Sequence, residues 1–504
     1  MEIKEEPVND KIKDTLPVKD ENAESKQVED AEQKKPNVIK RFFHSITVEP
    51  ILWCYCIPSA ISAIAVAQLY LEKACRAGFD YSDEICDGLL IHHFQNLSHY
   101  EEETQKLVAE VNAWKLPLAT FLPALIILFV GSWSDRRGLR KPCMLIPIIG
   151  EFISTMWLLL STYFMKDISI QITGLLEGSE CHLMGIFSYL GDITSEEDRT
   201  LRIGVASISV TVGFLIGGAV SGYLFEQLGY FGIFGLSAVL YAVGILYGQF
   251  CVKESEIKVE HRKINFCVDF FDPRHVLETI RVCLKRRPEY GRLKIFLSLA
   301  VFLIALGPGL GEATLVYYYT RLRFSWEPVD FTVYNACDTV IHLIGTFIVL
   351  SIFSKRFGMS DPLIGILGTC TSLAASIWGG VSTTGSMFYW TPVIGFFSGT
   401  KPIAIRSLAT KLVPDAERGK VQSVFGVVEG LLITIFSPLY NIVYNKTLDT
   451  LPGTIYFMSS GIIIPAILLF MWLYILNKKM KSRKQQVQEG IVNESFKQID
   501  STDL

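Results

Sequence analysis

The amino-acid sequence predicts an all-α membrane protein with twelve transmembrane helices, and two observations indicate this class. Half of the 504 residues are hydrophobic and only 19% are charged, whereas ordinary soluble domains carry about 25% charged residues. Apolar stretches of roughly 17–25 residues, the length that crosses a bilayer, recur twelve times along the chain. They cover approximately residues 50–71, 114–133, 142–163, 171–191, 203–224, 231–252, 294–318, 331–353, 362–381, 388–410, 422–443 and 454–476.

The positions of the charged residues orient these stretches and divide them into two groups. Lys and Arg are concentrated in alternate loops, beginning with the loop after the second stretch, which marks those loops as cytoplasmic. Because the number of spans is even, both termini are predicted to be cytoplasmic. A polar stretch at residues 253–292 separates six spans from six. We therefore predict two six-helix halves, 46–252 and 293–476, joined by a cytoplasmic linker.

Both ends of the chain are predicted to lie outside the membrane. Residues 1–45 are rich in Glu, Lys and Asp and poor in aromatic residues, a composition typical of a disordered tail. Residues 477–504 are predicted to form a cytoplasmic C-terminal tail, whose first lysines can contact anionic membrane lipid. The last three residues, 502–504, resemble a C-terminal ligand of PDZ domains. The net charge of −4 gives no indication of a nucleic-acid partner.

The most informative motif is the charged turn at residues 131–141, between the second and third apolar stretches. Such a turn cannot lie in hydrocarbon, so it marks a membrane face. Gly131 lets two helices approach closely, and Gly138 permits a tight reversal. Asp135 can accept hydrogen bonds at the N-terminus of a neighbouring helix, where the helix dipole favours an anion. An ordinary basic loop between two membrane helices is the alternative interpretation.

This turn resembles the loop signature of the major facilitator superfamily, G-x-x-x-D-R-x-G-x-R-K. The pattern is matched by Gly131, Asp135, Arg136, Gly138, Arg140 and Lys141. An acidic-then-arginine turn recurs after the fourth span, with Asp192 and Arg199, and another follows the tenth span at residues 414–420. The resemblance implies the major facilitator fold, in which spans one, four, seven and ten line a central cavity.

A narrower resemblance is to the proton-coupled folate transporter family. It covers roughly residues 40 to 480 and is clearest at residues 131–135, 192–202 and 405–413. It implies a transporter that moves an organic anion, often with protons. Three family positions differ. Ser207 replaces an acidic residue used in proton coupling, Pro308 falls near a family histidine, and Ser325 replaces an outer-loop cysteine between spans seven and eight. Family members also carry muropeptides and lysosomal metabolites, so the substrate class stays open.

The largest outer loop, between the first two spans, contains a candidate disulfide and a candidate glycosylation site. It contains Cys75 and Cys86, and an outer loop faces an oxidising compartment, so we predict a disulfide between them. Two free thiols are the alternative. Asn96 begins an Asn-Leu-Ser sequence and is predicted to be glycosylated.

Charges inside the spans indicate where a substrate and a proton would bind, because a charge at a helix centre costs about 2.5–3.5 kcal/mol on insertion scales. Glu177 and Glu180 lie three residues apart on the fourth span and share one helix face. Two nearby carboxylates readily share a proton, which suits proton coupling. A structural bridge to another helix is the alternative for this pair.

The seventh and tenth spans carry charges of both signs. Lys401 and Arg406 lie on the tenth span, and a guanidinium binds a carboxylate through two parallel hydrogen bonds. Arg406 also matches a family position implicated in substrate and proton handling. An ion pair at the cytoplasmic end is the alternative for Arg406. Glu312 on the seventh span is either the partner of Lys401 or a second proton acceptor.

Four further residues are assigned to the substrate and proton pathway. Asp338 and His342 lie one turn apart on the eighth span, where they form either a structural pair or a proton relay. Gln68 and Tyr70 on the first span are expected to face the cavity as uncharged hydrogen-bonding groups.

Together these observations predict a secondary active transporter that imports an organic anion with protons by alternating access. A proton-independent facilitator or exchanger is one alternative, and a transporter-like receptor or scaffold is another. An enzyme is not predicted, because the sequence shows no phosphate-binding Gly-rich loop and no clustered metal-ligand spacing. We therefore expect no cofactor and no metal. The predicted location is the plasma membrane, with the lysosomal membrane as the alternative.

Overall fold

The computed structural model describes residues 47–90, 97–137, 139–166, 186, 189–190, 193–194, 196–254, 270, 285, 291–354, 356–412 and 415–500. The architecture below lies in the unit Val48–Leu504. Every regular element in these ranges is helical. The helices are α1 (Glu49–Lys73), α2 (Asp83–Leu90), α3 (Ser98–Arg137), α4 (Lys141–Tyr163), α5 (Glu196–Phe250), α6 (Gly291–Ala313), α7 (Val316–Phe324), α8 (Pro328–Ile348), α9 (Asp361–Val381), α10 (Gly385–Phe388), α11 (Thr391–Ile394), α12 (Lys401–Thr410), α13 (Asp415–Thr447) and α14 (Thr454–Asp500).

Eight stretches within the described ranges are long and apolar enough to cross a membrane. One of them, Val205–Phe250, has 46 residues, about twice the length that a single crossing needs. It corresponds to the predicted fifth and sixth spans. The two halves of α5 meet at Gly229, whose φ of 61° is open to glycine but strained for other residues. The predicted second span lies inside α3, and the predicted fourth span falls mainly outside the described residues.

The predicted tenth span, residues 388–410, is not one continuous helix. It consists of α10, α11, a 3₁₀ turn at Ser398–Thr400, and α12. Pro392 and Pro402 lack the backbone N–H that a continuing helix would use, and Gly395 and Gly399 lower helix propensity. Lys401 therefore lies at the first turn of a short helix.

Helices pack both within and between the two halves that the sequence predicts. In the first half α5 packs along α1 and α4, and in the second half α6 packs against α13 and α14, while α9 packs against α14. The two halves meet where α3 lies against α13 and where α5 lies against α8. The largest apolar cluster includes Val108 of α3, Tyr317 of α7 and Tyr444 of α13. It therefore joins the two halves through buried side chains.

Close approach of α8 to the broken tenth span depends on Gly345. A Cβ atom at this position would lie 1.9 Å from the backbone oxygen of Phe396. We expect Gly345→Ala to destabilise the protein by about 1–3 kcal/mol, because the backbone must move to relieve the overlap. Thermal unfolding in detergent measures this change as a lower midpoint.

The matched control is Gly426→Ala on α13, where an added Cβ would meet nothing within 4 Å. We expect this variant to unfold at the same temperature as the parent or slightly higher, since alanine favours helix by about 1 kcal/mol. Equal midpoints for the two variants would contradict the close approach.

Candidate transport site and outer latch

The second half holds two opposite charges in one polar site. Glu312 lies at the end of α6, where its Oε1 accepts a hydrogen bond from the Ser376 hydroxyl at 3.4 Å. Lys401 is 9% exposed, and its Nζ donates to the Ser372 hydroxyl at 2.8 Å. Ser372 and Ser376 are one turn apart on α9, so this helix brings the two charged residues side by side. Glu312 and Lys401 also interact electrostatically.

The local chain explains why Glu312 lies at this place. Helix α6 ends at Ala313, and the backbone N–H of Leu315 donates to the carbonyl of Glu312 in the turn that starts α7. Ser459 of α14 bonds to Tyr440 of α13 at 2.5 Å and also contacts Glu312. Hydroxyl groups from two helices thus surround the carboxylate.

Arg406 lies on a different face of α12. It follows Lys401 by five residues, which is a rotation of about 140° at 100° per residue. Its guanidinium pairs with Glu429 of α13 and lies over the Phe302 ring, with 5.6 Å between the guanidinium carbon and the ring centroid. The ion pair that the sequence left as an alternative for Arg406 is therefore present, and it joins two helices of one half.

Asp338 and His342 form the pair expected from their spacing on α8. The His342 Nε2 lies 3.2 Å from the Asp338 carboxylate, and its Nδ1 lies 3.2 Å from the Ser398 hydroxyl. The histidine therefore connects α8 to the 3₁₀ turn just before Lys401.

Gln68 and Tyr70 are the uncharged hydrogen-bonding groups expected on the first span, and Gln68 lines a small cavity together with Glu101 and Arg321. Both side chains are buried. Gln68 donates to the Tyr317 hydroxyl at 2.6 Å, and the Lys115 ammonium lies 3.7 Å from the centre of the Tyr70 ring. Neighbouring helices cover both residues where the two halves meet. The spacing of residues in the sequence does not reveal this contact between the halves.

Arg321 of α7 is the centre of this contact between the halves. Its guanidinium is 1% exposed and donates to Glu101 at 2.7 Å and 3.3 Å, to the Gln68 side-chain oxygen at 3.0 Å, and to the Leu89 carbonyl at 2.7 Å. We call these four residues the outer latch, because the predicted topology puts this end outside the membrane. Burial lowers the pKa of Arg321, but Glu101 more than offsets this and holds the pKa above its ordinary value. The arginine therefore stays charged.

Three further contacts join α3 to α13 and to the turn that follows α13, near the outer latch. Lys106 forms an ion pair with Asp449 at 2.6 Å. The Asn445 amide donates to the Lys106 carbonyl at 2.9 Å, and the Tyr444 hydroxyl donates to the side-chain oxygen of Gln105 at 2.9 Å. Arg321, Glu101 and Gln105 were not among the residues predicted from the sequence. The polar residues at four-residue spacing at the start of α3 could have indicated a polar contact on one face of that helix.

Cys75 and Cys86 form a disulfide with 5.9 Å between their Cα atoms. It closes residues 74–90, which comprise a π-helical turn and α2, into a hairpin. Arg76 holds the hairpin through ion pairs with Glu72, Asp83 and Asp87. The glycosylation candidate Asn96 lies outside the described residues.

The signature turn is described only in part. Gly131, Asp135 and Arg136 lie in the last turns of α3, Arg199 lies in the first turn of α5, and Arg140 directly precedes α4. Gly138, Asp192, Glu177, Glu180 and the C-terminal residues 502–504 lie outside the described residues.

The N-terminus of α4 carries an anionic cap that the sequence analysis missed. The Glu254 carboxylate accepts from the backbone N–H groups of Arg140 and Lys141 at 2.6 Å and 3.0 Å. Glu254 follows the sixth span, so the contact joins distant parts of the chain.

Comparison with known proteins identifies the class. The Major Facilitator Superfamily model matches residues 107–438, more than half of the chain, so the protein belongs to this superfamily of membrane transporters. Among solved structures, a D-xylose–proton symporter has a TM-score of 0.58 at 14% sequence identity, with 85% of this chain and 97% of that chain covered. This similarity shows the shared fold.

Three curated relatives show a narrower similarity. The chain is 24% identical over 433 residues to a probable peptidoglycan muropeptide transporter of Drosophila melanogaster, which covers 81% of each chain. It is 24% identical to a lysosomal proton-coupled steroid conjugate and bile acid symporter of Gallus gallus, covering 85% of this chain and 94% of the relative. It is 23% identical to a proton-coupled folate transporter of Bos taurus, covering 68% and 73%. The resemblance to the folate transporter family is confirmed, and the protein is a multi-pass membrane transporter.

The ion pair of Arg406 and Glu429 predicts coupled effects on stability. We expect Arg406→Gln and Glu429→Gln each to lower the thermal midpoint, because each removes the ion pair between α12 and α13. The double variant should lose less than the sum of the two, with a coupling free energy of about 1 kcal/mol. Additive losses in thermal unfolding would contradict the pairing.

Proposed function

We propose that this protein imports an organic anion together with protons by alternating access. The observation that supports this most strongly is the pair of opposite charges, Glu312 and Lys401, held side by side by two serines of α9. Charged side chains inside a membrane protein are costly to keep without a function. An anionic substrate and a proton are the two ligands that such a pair binds.

The coupling follows from charge balance. In the empty site Glu312 is ionised and offsets the charge of Lys401. An entering substrate carboxylate or sulfate binds Lys401 in its place, and two anions beside one cation repel each other. Glu312 therefore takes up a proton when the substrate binds, and both ligands leave together on the other side.

The contact between the two halves supports the alternating-access part of the proposal. The outer latch holds α3 against α7, and the ion pair of Lys106 with Asp449 holds α3 against the turn that follows α13. An arrangement closed at one end is one of the two states that a carrier of this fold needs.

The relatives support an anionic substrate. Their names specify muropeptides, steroid conjugates and bile acids, and folate, and compounds of these classes carry carboxylate or sulfate groups. We place the transporter in the plasma membrane, with the lysosomal membrane as the alternative. A facilitator or exchanger, in which Glu312 never takes up a proton, is the competing function.

Neutralising the carboxylate tests the proton step. Uptake of muramyl dipeptide, taurocholate, estrone sulfate and folic acid is measured in cells expressing the protein, at acidic and at neutral outside pH. We expect uptake of the preferred anion to rise as outside pH falls, and Glu312→Gln to abolish this rise, because glutamine takes up no proton.

The matched control is Glu84→Gln, which removes an exposed carboxylate from α2. Its uptake should keep the pH dependence of the parent. Uptake by the parent that is independent of pH would favour the facilitator, and an intact pH dependence in Glu312→Gln would exclude Glu312 as the coupling group.

Lys401→Gln tests the anion-binding role. Losing a charge-assisted hydrogen bond of about 1.5–3 kcal/mol should raise the apparent KM for the anion about tenfold or more. Because Ser372 can still bond to glutamine, the protein should remain folded. An unchanged KM in initial-rate uptake would show that another residue binds the anion.

A further inference from the structure

The outer latch joins one residue of the second half to three separate segments of the first half. Gln68 belongs to α1, Leu89 is next to the last residue of α2, and Glu101 lies in the first turn of α3. An arginine presents five N–H donors in a fixed planar arrangement. Arg321 can therefore hold three segments at once only while all of them keep their positions.

The position of Leu89 depends on the disulfide-closed hairpin. Cys75 and Cys86 are each 1% exposed; Cys75 lies in the π-helical turn that follows α1, and Cys86 lies in α2. Arg76 donates to Asp83 of α2 at 2.6 Å and to Glu72 of α1 at 2.8 Å. The disulfide and these ion pairs therefore fix α2 against the end of α1.

The Leu89 carbonyl is a suitable partner for a buried cation. It lies in the last turn of α2, where carbonyl groups lack partners within the helix and carry the negative end of the helix dipole. A buried guanidinium needs several acceptors, because an unsatisfied buried donor is unfavourable. The Leu89 carbonyl of the hairpin is one of the acceptors of Arg321, beside Glu101 and Gln68.

We propose that the hairpin of residues 74–90 is a working part of the outer gate, and that opening to the outside requires Arg321 to release Leu89 and Glu101 together. The inference rests on the proposed transport by alternating access. It assigns to Arg321 a positioning role for the closed state, and to the Cys75–Cys86 disulfide a role in conformational equilibrium beyond stabilising a loop.

The test measures gate opening without any substrate. Val108 is 1% exposed and follows Glu101 by seven residues, so it lies on the same face of α3 beneath the latch. The variant Val108→Cys is labelled from outside with a membrane-impermeant maleimide. Labelling of the parent without this reporter is subtracted to correct for the native thiols.

We expect Arg321→Gln to increase the labelling rate at the reporter about tenfold or more, because the closed state loses its charged contacts. Cys75→Ser with Cys86→Ser should raise the rate by a smaller factor. Adding the serine substitutions to Arg321→Gln should give no further increase, because the hairpin acts through Arg321. Arg323→Gln, on the same helix at an exposed position, should leave the rate unchanged.

Three results would overturn the proposal: equal labelling in the parent and Arg321→Gln, no effect of the serine substitutions, or additive effects of the two changes. If Arg321→Gln fails to reach the membrane, the test relies on the variant with Cys75→Ser and Cys86→Ser. Increased labelling of the reporter in that variant supports the proposal, and unchanged labelling overturns it. Labelling requires neither substrate nor proton coupling. Loss of the proposed transport activity would therefore leave this result intact, and the two proposals fail separately.

Discussion

Water is absent from the hydrocarbon core of a bilayer, so polar groups of a membrane protein must be satisfied within the protein or in a water-filled cavity. This constraint explains the pairing of charges inside the spans, and burial between helices imposes the same requirement on the outer latch. Arg321 pairs with Glu101, and Arg406 pairs with Glu429. Lys401 donates a hydrogen bond to a serine hydroxyl and interacts electrostatically with Glu312. Each pair connects helices that the apolar core alone would allow to slide.

The pairs differ in which parts of the chain they join, and this difference separates structural from functional roles. Arg406 and Glu429 join two helices of one half, so their pairing can persist while the halves move. Arg321 and Glu101 join the two halves, so their pairing must break when that end opens. Glu312 and Lys401 lie within one half, but both are held by hydroxyl contacts, which a ligand can replace.

Much of this arrangement could be predicted from the sequence. Apolar length located most of the membrane spans, and the cysteines of the outer loop identified the disulfide pair. The pairing of Asp338 with His342 followed from helical spacing, and the possible partnership of Glu312 with Lys401 followed from opposite charges on spans seven and ten. In each case the prediction relied either on residues close together in the sequence or on a strong physical preference, such as the attraction between opposite charges.

The remaining features depend on tertiary packing that one sequence does not encode locally. Gln68 and Tyr70 are uncharged hydrogen-bonding residues of the kind that can line a cavity, but packing between the two halves buries both side chains. Glu254 caps a helix more than a hundred residues earlier in the chain, and no spacing rule links such positions. The break in the tenth span could have been predicted, because its two prolines and two glycines disfavour a continuous helix.

The central claim is that binding of an anion at Lys401 makes Glu312 take up a proton. Simultaneous recording of proton and substrate flux in liposomes containing the purified protein tests this claim most directly. Adding the transported anion outside, with no imposed pH gradient, should make the outside medium more alkaline as substrate enters. Substrate entry at the same rate with no change in outside pH would contradict the account.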